Sequence, residues 1–325
     1  MNHRMISNDF LIPIQDRLLR VEEVMRSQAD AHHSDLASAL HLLLASGGKR
    51  IRPAVALLTG EMLGGNPESL VILASAIELL HTATLVHDDL IDGSFLRRGN
   101  ATLNAQWSPG ATVLTGDFIF AQAARLASET NSITVMHLFA ETLATIVNGE
   151  ITQMFSGHGL VSHQEYELRI YAKTASLFET AARSAAILSS VDESVVEKLR
   201  VYGYSIGMAF QIVDDILDFT GEQATIGKPV ASDLRQGLMT LPAIYYWEIH
   251  SDDRDLQSIV DGNKIAEPEM NRLIFNIRNS GSIEKALEQA GDYIDKSLHV
   301  LMDFPDTPEH RSLENLAHYI IDRKI

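Results

Sequence analysis

Between Asn66 and Asp92 the chain holds one unbroken helical apolar pattern, which only a buried helix can satisfy. Leu70, Leu73, Ala74, Ile77 and Leu80 recur at three- and four-residue spacing, the period of one helix face. Asn66 suits the cap, Pro67 the first helical position and Glu68 the positive end of the dipole. Gly93 stops the pattern. The same period returns at 112–129, 132–155, 163–189 and 195–219, and at 234–250 apart from Pro242. Loops are expected at 100–110, around Gly157-His158-Gly159, and at 221–229. Runs of alternating β-branched residues are missing, so strands have little support. Apolar residues make up 46% of the chain but aromatics only 6%, so the apolar mass is Leu, Ile, Val and Ala. No Pro- or Ser-rich linker divides it. The expectation is all-α: one domain over 1–325, a bundle of ten or more helices.

Charge narrows the function. The balance of 43 acidic and 26 basic residues leaves −17, which argues against nucleic acid or an anionic membrane as partner. An anionic small substrate remains open, because local Arg and Lys outweigh a global field. With no cysteine, disulfides and thiolate metal sites are excluded. No uncharged run approaches the roughly 18 apolar residues of a membrane span, and the first nine residues do not resemble a secretory signal. The chain reads as cytoplasmic.

Two pentapeptides repeat one pattern, D-D-x-x-D. Asp88, Asp89 and Asp92 lie at the C-terminal end of the first strong helix; Asp214, Asp215 and Asp218 lie near the end of another. Residues four apart share a helix face, so Asp88 points with Asp92 and Asp214 with Asp218. His81 joins the first stripe and Gln211 the second. Carboxylates at a helix C-terminus meet the negative end of the dipole and repel one another. One such cluster is as readily a solvated helix end. Two, at matching positions after apolar stretches, break the same local rule in the same way, and that marks a site. Hard divalent cations relieve the repulsion, and Mg²⁺ takes one or two carboxylates, waters and substrate phosphates.

Cations gather near these clusters. Gly47-Gly48-Lys49-Arg50-Ile51-Arg52-Pro53 precedes a helix, where glycines and a helix N-terminus favour an anion. Arg97-Arg98-Gly99 follows the first cluster, and arginine forks match phosphate oxygens. Lys173-Thr174 interrupts an apolar helix, and Lys228 follows the second cluster.

These residues, in order over about Gly47 to Pro242, resemble the trans-isoprenyl diphosphate synthase family, long-chain type. The matching pieces are G-G-K-x-x-R-P at 47–53, Glu78 and His81 as E-x-x-H, D-D-x-x-D-x-x-x-x-R-R-G at 88–99, and Gly149-Glu150-x-x-Gln153. Lys173-Thr174, Phe210-Gln211-x-x-Asp214-Asp215-x-x-Asp218, Gly227-Lys228 and Asp233 complete the set. Helices at 1–45 and 243–325 are peripheral to that motif-bearing core. The resemblance implies an isoprenoid synthase fold around a central cavity, usually a homodimer. The two Asp motifs face each other across the mouth and bind Mg²⁺, three ions with substrate present. It implies Asp88, Asp92 and Asp214 as direct metal ligands. Arg97, Lys173, Thr174, Gln211 and Lys228 would hold an allylic diphosphate. Lys49, Arg52, His81, Arg98 and Phe210 would hold isopentenyl diphosphate. The catalytic set is Asp88, Asp89, Asp92, Lys173, Asp214, Asp215 and Lys228. The reaction implied is ionisation of the allylic diphosphate, attack by the isopentenyl double bond and loss of a proton. The family often has Lys where this chain has Leu238; one contact is then missing, or Arg235 replaces it.

The resemblance also implies that product length is set on the helix before Asp88, where a bulky residue four or five positions upstream would block the tail. Small residues at Ala83 and Thr84 leave room for a growing tail, with Leu80 and Ile77 one and two turns deeper, and a facing floor at Phe139 or Ile146. Ala83 lies about 7.5 Å back from Asp88 along the axis. The expected product is C30 or longer, with geranylgeranyl diphosphate as the alternative. A class I terpene cyclase fits less well, because its second metal motif is normally of another pattern. A non-catalytic partner subunit fits less well, because both Asp clusters are complete. Partners are the two diphosphates and a second copy of the chain, without integral membrane association even though the product is membrane-soluble.

Overall fold

The computed structural model describes residues 9–30, 33–45, 48–97, 99–155, 159–221 and 230–323, with the side chain of Ala45 excepted. Gly47, Arg98, Gly157, His158, Gly227 and Lys228, singled out above, lie outside the described residues.

A 3₁₀ turn at Asp9–Ile14 leads into α1 (Gln15–Ser27), α2 (Ser34–Ala45), α3 (Ile51–Met62) and α4 (Pro67–Ile91). A two-residue antiparallel hairpin pairs β1 (Leu96–Arg97) with β2 (Asn100–Ala101), Leu96 opposite Ala101. Next come α5 (Leu103–Gln106), α6 (Pro109–Glu129) and α7 (Ile133–Phe155). Then α8 (His163–Ile170), a π-helical turn at Tyr171–Ala175 and α9 (Ser176–Leu188) form one continuous run. After α10 (Glu193–Thr220) follow α11 (Ser232–Arg235), α12 (Leu241–Ile249), α13 (Arg254–Val260), α14 (Glu267–Arg278), α15 (Ser282–Leu301) and α16 (Pro308–Ile321).

The helix starts are where local chemistry puts them. Asn66 accepts the Ser69 N–H with Pro67 at the first turn, Ser108 does the same for Ala111 ahead of α6, and Ser162 with Glu165 forms a capping box for α8. Two boundaries differ from expectation. The pattern over 234–250 is not one helix: Gly237, at φ +82°, ends α11, and Pro242 starts α12 where its missing N–H costs nothing. The 100–110 stretch holds β2 and α5 rather than loop alone.

Helix α4 runs through the bundle, packed by α1, α3, α6 and α9. Leu70, Leu73, Ile77 and Leu80 are all at most 1% exposed, each stabilising the fold by roughly 1.5–3 kcal/mol. By length and composition it is also the one helix among the described residues that could cross a membrane. With 72% of its apolar window buried, it is a core helix, and Glu78 interrupts its apolar run. Helix α10 packs on α9 and α15. Gly207 permits that closeness: a Cβ there would sit 2.6 Å from the Ala175 Cα. The first half of α10 joins the core built on α3, α4, α9 and α16, and its second half joins another core with α8 and α12–α15. The C-terminal ends of α4 and α10, with their Asp clusters, open beside each other at one cavity.

Candidate active site

The cavity has a volume of about 560 Å³, and both clusters reach it, through Asp89 and Asp214. The α3 entry supplies Lys49, Arg50 and Arg52, α4 supplies Glu78, His81 and Val86, and Phe210, Arg97 and Arg323 also line it. A positive-rimmed hollow of this kind, with a carboxylate from each side, suits a metal-bridged polyanion.

On α4, Asp88 is partly enclosed, and burial pushes its carboxyl up to about 6, against the nearby Lys173 ammonium. Asp92 caps the helix and is exposed. Asp89 is buried and neutralised by Arg97, whose Nε and Nη2 lie 2.9–3.0 Å from its oxygens. That fork is an intramolecular version of the phosphate grip expected of Arg97.

Lys173 stands on the π-helical turn, an irregularity often found at functional sites. Its ammonium is 3.1 Å from Glu150. Burial alone would lower it, but Glu150 and Asp88 hold it above its ordinary value. Helix α7 comes close enough for this because position 149 is glycine; a Cβ there would meet the Ala172 Cβ at 2.6 Å.

The second cluster is wired differently. Asp214 accepts from Arg323 Nη1 at 2.7 Å, and burial raises its carboxyl against the pull of Arg323, Arg52 and Lys49. Asp215 is buried, accepting from the Tyr166 hydroxyl and Gln211 Nε2, both at 2.8 Å. Gln211 Oε1 in turn accepts from the Thr174 hydroxyl at 2.6 Å. Burial, with Asp233 nearby, pushes Asp215 up to about 7. Asp218 accepts from the Ser232 N–H and hydroxyl and from the Asp233 N–H, so it fastens α11.

Across the cavity, Arg52 Nη1 is 3.1 Å from His81 Nε2, and its guanidinium lies over the Phe178 ring and beside Phe210. Arginine only donates, so in this contact His81 Nε2 is the acceptor. Lys49 lies over the Tyr319 ring, 5.1 Å from its centre.

The sequence model of the family described as "Polyprenyl synthetase" matches residues 33–277. The chain belongs to that family. It is therefore an enzyme that transfers prenyl groups. Heptaprenyl diphosphate synthase component 2 of Geobacillus stearothermophilus is 36% identical, covering 94% of this chain and 96% of the relative. Octaprenyl diphosphate synthase of Escherichia coli is 35% identical, covering 87% and 88%. A polyprenyl synthase of Caulobacter crescentus, solved with calcium and isoprenyl diphosphate, superposes with a TM-score of 0.91 at 33% identity, covering 98% of both chains. The fold is thus the isoprenoid synthase all-α fold.

Among the described residues no three His, Cys, Asp or Glu side chains converge into a ready cage. The carboxylates of Asp88, Asp92 and Asp214 are hard oxygen donors of the kind Mg²⁺ takes alongside water and phosphate. The donors fit the metal.

Two expectations find no support in the geometry. Arg235 does not turn to the cavity in place of a lysine: it is bound to the Val230 carbonyl at 2.8 Å and to Glu267 at 2.7 Å. Ile77, Leu80, Ala83 and Thr84 do not line the described cavity, which takes the Glu78–Thr82–Val86–Asp89 side of α4. Thr84, Leu80 and Ile77 continue the Asp88 stripe instead. The first three of the quartet are fully buried, as are Phe139 and Ile146 at 2% and 5% exposed.

Arg323 escaped the sequence reading. Its Nη2 also donates to the Phe210 carbonyl at 2.9 Å, and its guanidinium lies 4.1 Å from that ring's centre. Leu313, Leu316 and Ile320 form the buried stripe of α16; an arginine three residues on, continuing that stripe, was the signal. Tyr166 left none, since nothing in its neighbours points to Asp215.

Proposed function

We propose that this chain is a trans-prenyltransferase that extends an allylic diphosphate with isopentenyl diphosphate to a C30 or longer polyprenyl diphosphate. The observation that carries the reading is one carboxylate from each cluster, Asp89 and Asp214, on a cavity walled by Lys49, Arg52 and His81. Asp88, Asp92 and Asp214 would hold Mg²⁺, three ions with substrate, which neutralises the charge developing on the leaving diphosphate. Lys173, Thr174, Gln211, Arg97 and Lys228 hold the allylic diphosphate and orient its C–O bond. Lys49, Arg52, His81 and Arg98 fix isopentenyl diphosphate, and Phe210 covers its hydrocarbon part. No side chain acts as nucleophile. The isopentenyl double bond attacks the allylic cation and the released diphosphate takes the proton, a step that requires bulk water to be kept from the cation. Long-chain relatives support the length.

The working unit we propose is a homodimer of single-domain chains. Leu114, Ile133 and Phe155 are 70%, 79% and 81% exposed on α6 and α7, an apolar face that a second copy would cover. The setting is the cytoplasm, where an acidic chain meets soluble diphosphates.

The test is incubation of the purified chain alone with Mg²⁺, isopentenyl diphosphate and each allylic primer, with the products sized. A C30 or longer ladder is expected. Products stopping at C20 would overturn the length, and no condensation without a second protein would overturn the homodimer reading. Ala83→Tyr should shorten the ladder; an unchanged ladder would remove Ala83 from the tunnel.

A further inference from the structure

The α3 entry carries three cations in four residues, Lys49, Arg50 and Arg52, yet the middle one does not behave like its neighbours. Arg50 sits at φ +49°, ψ +35°, the left-handed region, at the position just before α3. Side chains other than glycine rarely adopt it. No side chain caps that helix start, so the turn needs another restraint. The restraint is the Arg50 guanidinium itself. Nη1 donates to Glu78 Oε1 at 2.8 Å, Nη2 donates to the Leu44 carbonyl at 3.1 Å, and Nε reaches Glu22 Oε1 at 3.4 Å. One side chain thus ties α1, the end of α2, the start of α3 and the middle of α4. Glu78 is only 6% exposed, so its charge is compensated largely by this contact.

Glu78 and His81 stand three apart on one face of α4. Glu78 holds Arg50 and His81 meets Arg52, so the two helices are joined by two rungs. The difference between the rungs is charge. Arg50 meets two carboxylates and is neutralised; Arg52 meets an imidazole and lies against the Phe178 and Phe210 rings. Lys49, on the other side of the left-handed turn, faces the cavity as well.

We infer that Arg50 is a positioning residue: anchored by Glu78, Glu22 and the Leu44 carbonyl, it holds the strained turn that aims Lys49 and Arg52 at the isopentenyl diphosphate. Arg50 and Glu78 also line the cavity; the inference rests on the proposed reaction and goes beyond it, since it gives them an anchoring role in place of substrate contact.

The experiment compares Arg50→Met, Arg50→Gly and Glu78→Gln in the full chain, measuring kcat, KM for isopentenyl diphosphate, KM for the allylic primer, and Tm. All three should raise KM for isopentenyl diphosphate about tenfold or more, in the range typical of lost supporting contacts, with KM for the primer within about twofold. Arg50→Lys should recover part of the loss. If Arg50→Met is impaired while Glu78→Gln matches wild type, Arg50 touches substrate directly and the inference fails. If Arg50→Gly, which relieves the backbone strain, also matches wild type, the guanidinium anchors nothing. Should Glu78→Gln fail to fold, Glu22→Gln replaces it; a smaller rise confined to the same KM supports the anchoring, and no rise overturns it. A wild-type chain that never consumes isopentenyl diphosphate would sink the proposed reaction instead, leaving the two failures distinct.

Discussion

The two D-D-x-x-D clusters are identical in spelling and unlike in use. On α4 the first and last aspartates face outward, and only the middle one, Asp89, is tied down, by Arg97. On α10 the middle one is tied down as well, and so is the last: Asp214 faces the cavity, paired with Arg323, while Asp215 and Asp218 are consumed by Tyr166, Gln211, Ser232 and Asp233. The cause is where each helix stops. Helix α4 ends at Asp92, where Gly93 turns the chain away, so its last carboxylate stands at a free end. Helix α10 runs two residues past Asp218, and α11 folds back so that its first N–H groups find the Asp218 carboxylate. An aspartate at the start of a short helix is a favourable anchor, and an anchored carboxylate has few lone pairs left for a metal. A repeated motif therefore divides into an open half and a structural half.

The largest test of that division sets Asp88→Ala and Asp214→Ala against Asp218→Ala. Losing either carboxylate should lower kcat/KM by about 10³-fold or more, the scale of removing a group that stabilises transition-state charge, with little change in Tm for Asp88→Ala and a lower Tm for Asp214→Ala, which strips the buried Arg323 of its partner. Asp218→Ala leaves the Ser232 and Asp233 N–H groups without their acceptor and should cost about 1–3 kcal/mol of stability, with activity within about tenfold of wild type. Turnover assays and thermal unfolding read both. An Asp218 variant that is fully stable but as inactive as the Asp88 variant would erase the distinction.

A smaller effect should follow from loosening the buried chain Tyr166–Asp215–Gln211–Thr174. Tyr166→Phe removes one donor to Asp215 and lets Gln211 shift, so about a tenfold loss is expected. It should fall mainly on KM for the allylic diphosphate, because Gln211 and Thr174 sit on the Lys173 side. A loss confined to KM for isopentenyl diphosphate would show that the chain serves the other substrate.

How much of this was legible differs between the two halves for the same physical reason. The helices and both clusters are written in local periodicity, and the cap at Asn66 and the stop at Gly93 fall where local chemistry predicts. The pairing of Asp88 with Asp92 needs only helix geometry. What the local pattern cannot carry is a tertiary partner. Tyr166 is 49 residues from Asp215, and Arg323 is 109 from Asp214. Reading Asp214 and Asp218 as one metal stripe followed the four-residue rule correctly; the fold-back of α11 then used one of them. The break at 236–240 was missed because Pro242, the conspicuous residue, is the start of a helix there. The π-helical turn at Lys173 has no periodic signature either, since it shifts the register by a single residue.

The smallest effect concerns protons in the metal-free chain. Burial raises Asp88 to about 6 and Asp215 to about 7 from an unfolded value near 3.8. Between those values the native state binds more protons than the unfolded one, so stability falls as pH rises. The contribution is full below about pH 4 and is lost as pH passes 6 for Asp88 and 7 for Asp215. Asparagine cannot ionise, so with metal chelated, Asp215→Asn should gain on wild type by a few degrees of Tm as pH rises from about 4, levelling off above about 7. The Asp88→Asn gain should level off earlier, near pH 6, because its carboxylate is less enclosed and Lys173 lies beside it. Two gains levelling off at the same pH would mean the clusters share one electrostatic setting. An Asp88→Asn gain that levels off at the higher pH would reverse which half is the more buried one.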